Sequence, residues 1–292
     1  MTTLILAANF PAYVRGTVED AADRLKEIGY EGVGFSSDPR YGYHLLSARD
    51  DTAEYIRNVF HDRKLKIAQI YQGCNLISPD ERIRRRSIEA VKKAIGIAEK
   101  LDCPAVGCST GSLAHSFFSS TPHPDNYSKK GWNLTINALR EILKATEGTD
   151  VRFCVQPAWY TSIYSLDTLT RSIEEVGHPN LKVLLDPVNL IAGWLDRYLN
   201  VARWLNEFFD ILGENIFAAH GKDVVVEFSR GTFSMLSFCE TVPGQGVMDY
   251  ETFVRRLCCL GPQISLLVEH LGSDDQYVEA YQHINKVRMA VG

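Results

Sequence analysis

Four polar residues each close a short apolar run in the second half of the chain. Gln156 ends VRFCVQ, Asp186 ends LKVLLD, His220 ends IFAAH and Glu269 ends ISLLVE. Two carboxylates, an imidazole and an amide make an oxygen- and nitrogen-rich donor set that suits one divalent cation. Mn2+ is the first choice, with Mg2+, Co2+ or Zn2+ as alternatives, because donor type and affinity order do not choose among them. No cysteine stands at these run ends, so a structural zinc site is not expected. Each residue also has an ordinary structural reading. Asp186 precedes Pro187 and is placed to cap a helix. His220 alone reads as a hydrogen-bonded core histidine, and Glu269 as half of a buried salt bridge. Gln156 can ligate through its oxygen but cannot serve as a carboxylate base. The metal reading gains weight from the company these residues keep: an ionised carboxylate at the end of an apolar wall needs a partner.

Residues so far apart in sequence meet only if the runs carrying them are neighbouring parallel strands. The chain alternates short apolar runs with longer amphipathic ones. Strands are expected at 4–10, 32–37, 66–72, 105–110, 151–157, 181–187, 216–223 and 264–271. Their near-continuous apolar character is that of strands covered on both faces. Helices are expected at 17–28, 51–63, 79–101, 132–147, 165–176, 194–212, 250–260 and 276–291. In the first, Val18, Ala21, Ala22, Leu25 and Ile28 share a face and Gly29 is the stop. In the third, Ser78 is the expected cap, Pro79 the first helical residue, and Ile83, Ile88, Val91, Ala94, Ile95 and Ala98 the apolar face. Eight strand–helix units over the 292 residues predict an α/β fold, a (β/α)8 TIM barrel forming a single domain over 1–292. Three long connections, 9–16, 111–130 and 224–249, leave the C-terminal ends of strands, the rim where such barrels place their sites.

Bulk composition excludes several other classes. The chain is 45% apolar and 23% charged, ordinary for a globular core. Its net charge of −5 argues against a nucleic-acid partner. Seven scattered cysteines, with no C-x-x-C pair, read as buried small hydrophobes and not as a disulfide framework. No apolar stretch is long enough to span a bilayer, and LILAANF lacks the length and basic leader of a secretory signal. The expected location is cytoplasmic, with no membrane partner.

LLDPVN at 184–189, HGKD at 220–223, PGQGVMDYETFVRRL at 243–257 and LLVEH at 266–270 occur in order. In this the chain resembles the xylose-isomerase-like TIM-barrel superfamily, the sugar isomerase and epimerase group that also includes the AP endonucleases. That family commonly shows H-x-K-D after strand seven, then P-G-x-G leading into a D-Y or D-F helix, then a Glu on strand eight. The resemblance implies a single metal held by Glu, Asp, His and Glu from strands five to eight. Asp186, His220 and Glu269 match the last three; Gln156 stands where the first Glu is expected. Family epimerases use the two Glu residues as an acid/base pair on opposite faces of a carbon next to a carbonyl. Gln156 cannot take a proton, so a single base, Glu269, is left.

The resemblance therefore implies a metal-dependent isomerase or epimerase acting on a small polyhydroxylated molecule. Metal-assisted elimination with one base, or cleavage of an oxidised glycoside, is the alternative. A sugar-binding barrel or partner subunit without catalysis is the third reading, and homo-oligomerisation is an open expectation. Lys222 is a candidate to neutralise charge on a substrate oxygen, and His115 a candidate acid/base or a plain loop histidine. Asn189, Asp223, Tyr71 and Trp159 are candidate substrate contacts, with capping, ion pairing and packing as their structural readings. The AP endonuclease branch fits poorly. It uses a trinuclear zinc cluster with more histidines, and its D-x-x-H appears here as Asp186-Pro-Val-Asn189.

Overall fold

The apolar runs form the staves of a closed parallel barrel. The computed structural model describes residues 4–10, 17–37, 50–115, 120–228 and 236–291. Strands β1 (Ile5–Asn9), β2 (Gly32–Ser36), β3 (Lys66–Tyr71), β4 (Ala105–Ser109), β5 (Arg152–Gln156), β6 (Leu181–Leu185) and β7 (Ile216–Gly221) pair side by side in chain order. The last barrel strand, β10 (Ser265–Val268), pairs with both β7 and β1 and closes the ring. Each expected strand is present, shorter by one or more residues at its ends.

The helices are α1 (Val18–Ile28), α2 (Asp50–Asp62), α3 (Glu81–Lys100), α4 (Lys129–Leu143), α5 (Leu166–Val176), α6 (Pro187–Ile191), α7 (Leu195–Leu199), α8 (Val201–Leu212), α9 (Tyr250–Cys258) and α10 (Asp274–Val291). Local chemistry sets their ends. Thr17 and Asp20 form a capping box at α1, and Gly29, with φ +112°, ends it in the left-handed conformation that favours glycine. Ser165 and Thr168 cap α5 in the same reciprocal way.

Three expectations need correction. Helix α3 starts two residues later than expected, capped by Asp80 through Arg82 N and not by Ser78. Its Ile83, in the first turn, is 50% exposed, whereas Ile88, Val91, Ala94, Ile95 and Ala98 are buried. The single helix expected over 194–212 is broken at Asn200, whose extended φ of −131° separates α7 from α8. The connection 224–249 is not a simple loop. It contains an antiparallel pair, β8 (Asp223–Phe228) and β9 (Leu236–Thr241), in register from Asp223 opposite Thr241 to Phe228 opposite Leu236.

Inside the barrel, small residues make room for a few large ones. Ala105, Cys154, Leu184 and Ala218 pack in one group and Ala7, Ala68 and Leu267 in another. A Cβ at Gly34 would come within 2.6 Å of a Leu267 methyl, and one at Gly107 within 2.6 Å of a Leu184 methyl. The glycines are what let these leucines fill the axis at interior packing density. The barrel is thus a packed core.

Candidate active site

Parallel register brings the four run ends to one rim. Gln156 is the last residue of β5, Asp186 directly follows β6, His220 is the penultimate residue of β7, and Glu269 directly follows β10. All four are buried, Asp186 completely. Asp186, His220 and Glu269 each offer a ligand atom within 4.8 Å of the others. Asp186 has the capping role expected of it and also lines the cluster. Its Oδ1 accepts Asn189 N at 3.2 Å and caps α6, while its Oδ2 faces the cluster. His220 is fixed from behind, with Nε2 3.1 Å from Gln69 Oε1, so that Nδ1 points at Glu269 Oε1, 2.8 Å away.

Lys222 is the cationic centre. Its ammonium is buried and lies 2.9 Å from Asp186 Oδ2, 3.2 Å from Glu269 Oε1, 3.1 Å from Glu240 Oε1 and 3.4 Å from Asn189 Oδ1. Burial alone would drive such an amine toward neutrality, but the three carboxylates outweigh it and hold its pKa well above the usual value. The same balance acts on the anions. Burial opposes ionisation of Glu269, yet His220, His270 and Lys222 hold its carboxyl well below the ordinary range. Burial also pulls the His220 imidazole down, and Glu269 and Asp186 more than reverse this, raising it to about 9.

Sequence reasoning missed Glu240 and His270. Glu240 comes from β9 of the hairpin and reaches both Lys222 and, at 2.8 Å, His270 Nδ1. Burial is again outweighed, first by Lys222 and then by His270, and the Glu240 pKa falls to about 2. His270 follows Glu269 with φ +63°, a left-handed conformation uncommon outside glycine, and its Nε2 lies 3.8 Å from Glu269 Oε1. The signal for Glu240 lay in VVVEF and LSFCE, two β-prone stretches inside a segment read as loop.

The remaining expected residues divide. Tyr71 joins the cluster by donating its hydroxyl to Gln156 Oε1 at 2.7 Å. Asn189 joins it through Lys222. Gln156, expected to ligate through its oxygen, points that oxygen at Tyr71. Its amide nitrogen faces the cluster, 3.1 Å from both Asp186 Oδ2 and His220 Nδ1, and an NH2 group has no lone pair for a cation. Ligation through oxygen requires the amide to turn over and give up Tyr71.

Asp223, expected to touch substrate, is instead committed to backbone. Its carboxylate accepts the amides of Val224 and Met248 on one oxygen and those of Gly244 and Gly246 on the other, all at 2.9–3.0 Å. This gives P-G-x-G its physical meaning: a Cβ at Gly246 would run into that carboxylate, and Gly244 has φ +95°. Tyr250 adds a hydrogen bond from its hydroxyl to Lys222 O, so the D-Y start of α9 locks the same strand end. Trp159 is half-buried and packs against Tyr160 and Gly193 beside the rim. His115 is exposed, and among the described residues no contact joins it to the cluster.

A family model described as xylose isomerase-like TIM barrel matches residues 22–287. The chain belongs to that family. D-psicose 3-epimerase of Ruminiclostridium cellulolyticum is 28% identical over 120 residues, a stretch that spans 40% of this chain and only 39% of that protein. Among solved structures, a xylose isomerase domain protein of Planctomyces limnophilus superposes with a TM-score of 0.72 at 16% identity, covering 99% of this chain and 97% of its own. A xylose isomerase-like TIM barrel protein of Mycobacterium smegmatis, in complex with magnesium, gives 0.71 at 15% identity, covering 100% and 98%. At such identities the structural matches establish the barrel fold. Among the described residues no helix is long and apolar enough to cross a membrane.

Proposed function

We propose that the chain is a divalent-metal-dependent isomerase or epimerase. Its substrate would be a sugar or sugar derivative, and the reaction a proton transfer at a carbon next to a carbonyl. The observation that carries this reading is the convergence of Asp186, His220 and Glu269, three buried donors of the kinds that bind Mn2+, Mg2+, Co2+ or Zn2+. Asp186, His220 and Glu269 would hold the ion, with Gln156 as a fourth donor once its amide turns. When bound, the ion supplies Lewis-acid polarisation of the substrate's carbonyl and hydroxyl oxygens. The likeness to a psicose 3-epimerase and to a magnesium-bound barrel supports the same reading.

The chain's own residues then have distinct tasks. Glu269, ionised across the neutral range, removes the proton from the carbon beside the carbonyl. Its depressed pKa makes it a weak base, so the step depends on stabilising the negative charge that develops on the substrate oxygen. The Lys222 ammonium, preset among its carboxylates, supplies that stabilisation without reorganising. Gln69 holds the imidazole of His220 through Nε2 and so fixes its Nδ1 toward the cluster. Return of the proton from Glu269 to the neighbouring carbon, with the proton of the adjacent hydroxyl passing to the former carbonyl oxygen, completes an aldose–ketose isomerisation.

Gln156 favours a second reading. With an amide in place of an opposing carboxylate, epimerisation lacks a second proton carrier, and elimination of a hydroxyl group with one base becomes the alternative. Exchange of the α-proton of 2-keto sugars into deuterated solvent tests the shared first step. Glu269→Gln is expected to slow exchange by about 100-fold or more with an unchanged circular dichroism spectrum. Exchange at the wild-type rate in that variant would remove Glu269 from the base role.

A further inference from the structure

Two thiols touch on the outer side of the barrel wall. Cys74 lies in the segment after β3 and Cys108 in β4, 34 residues further on, and their Sγ atoms are 3.6 Å apart. Cys108 alternates with Gly107, whose open face looks inward at Leu184, so its own side chain points out into the core between barrel and helices. Cys108 is completely buried, whereas Cys74 is half-buried and follows the exposed Gly73. Cys74 Sγ also lies 3.6 Å from Ser87 O of α3.

The contact is held by the backbone on both sides of Cys74. Gly73 N donates to Ser37 Oγ at 2.9 Å. Asn75 Nδ2 donates to Ser112 O at 2.8 Å, and Asn75 Oδ1 accepts Ser112 N at 3.0 Å. Gln72 N donates to Gly107 O at 2.8 Å and carries the β3–β4 ladder to within two residues of Cys74. The sulfurs need close only from 3.6 Å to a bond length of about 2.0 Å. Other buried thiols are committed differently: Cys103 donates to Ala105 O at 3.4 Å and Cys154 to Arg152 O at 3.8 Å. The Cys74 contact, and burial after it, hold the Cys108 thiol well above its ordinary pKa. Cys74, the more exposed of the two, is therefore the one that meets an oxidant first.

We propose that Cys74 and Cys108 form a reversible disulfide, closed by a hydroperoxide and opened by a dithiol. The Cys74 sulfur attacks a peroxide oxygen and becomes a sulfenic acid. The O–O bond breaks, and the released hydroxide leaves as water with the Cys74 proton. The Cys108 sulfur then attacks the Cys74 sulfur. An S–S bond forms, the S–O bond breaks, and the displaced hydroxide leaves as water with the Cys108 proton. Two electrons leave the thiol pair and reduce the peroxide to water. Exchange with a dithiol, itself oxidised to a disulfide, restores both thiols. The bridge ties the segment after β3 to β4, two residues past the end of the ladder that carries Tyr71, and it does not depend on the proposed metal cluster.

Peptide mapping of the full chain by mass spectrometry without reduction, before and after hydrogen peroxide, tests this. The expected product is a Cys74–Cys108 cross-linked peptide, lighter by two hydrogen atoms, that dithiothreitol releases. Cys108→Ser is expected to stop at a Cys74 sulfenic acid, trapped with dimedone, and Cys74→Ser to leave Cys108 a free thiol. Because the bridge joins sulfurs already in contact, the melting temperature of the oxidised protein is expected to rise by about 5 °C. The exposed Cys259 reports that the oxidant has acted. Recovery of Cys74 and Cys108 as free thiols while Cys259 is oxidised would overturn the proposal. So would a bridge from either residue to another cysteine, or a Cys74–Cys108 bridge that lowers the melting temperature.

Discussion

At the residue scale, the rim is a set of buried charges that balance one another. Lys222 faces Asp186, Glu269 and Glu240, and His220 shares the first two. Removing one member of such a set leaves its partners uncompensated in a poorly solvated place, at a cost of about 3–5 kcal/mol. Variants should therefore conserve shape and change charge in the direction that the cluster tolerates. Gln156→Glu is the informative one. It adds a carboxylate where the amide now donates to Asp186, so it repels Asp186 in the absence of an ion and welcomes a divalent one. Titration with Mn2+ is expected to show affinity raised by about ten-fold or more. An unchanged affinity would mean that Gln156 stays turned toward Tyr71 and takes no part in ligation.

At the scale of elements, the hairpin β8–β9 is the part that the strand–helix alternation concealed. A segment leaving the barrel between a strand and its helix reads as a long loop, because the alternation rule speaks only of parallel units. Its pairing is antiparallel and local, and it delivers Glu240 over Lys222. The barrel strands were legible because burial on both faces writes itself as unbroken apolar runs. The residues that close them were legible because a charge at the end of such a run needs explaining. Gln69 and His270 were not, since a glutamine inside a strand and a histidine after a glutamate carry no such contrast. Asp223 was legible as important and misread in role, because only the folded chain shows four backbone amides converging on it.

The hairpin also predicts an acid dependence. Glu240 has a folded pKa of about 2 against an ordinary 4.5, so its contribution is fully present above the ordinary value and is lost as pH falls through the folded one. Stability measured by urea unfolding should fall between about pH 5 and pH 2, and Glu240→Gln should flatten that slope. An identical slope in the variant would place the acid sensitivity elsewhere.

At the scale of the whole molecule, closure makes the site. Asp186, His220 and Glu269 meet only because β10 inserts between β7 and β1, and that ring forms around an axis filled by Leu184 and Leu267. Filling the axis further should strain it. Gly34→Val, which drives a side chain into Leu267, is expected to cost about 1–3 kcal/mol in urea unfolding, and no loss would mean that the leucine repacks freely. Closure also explains why a family assignment can be firm while an activity is only proposed: many chemistries use this barrel, and the rim alone decides among them. The measurement that reaches that decision most directly is the metal content of the purified protein after exposure to Mn2+, wild type beside His220→Ala. The account predicts one divalent ion per wild-type chain and its loss in the variant. A wild-type protein that retains no divalent ion would contradict it, and would leave Lys222 as the cation around which these carboxylates are arranged.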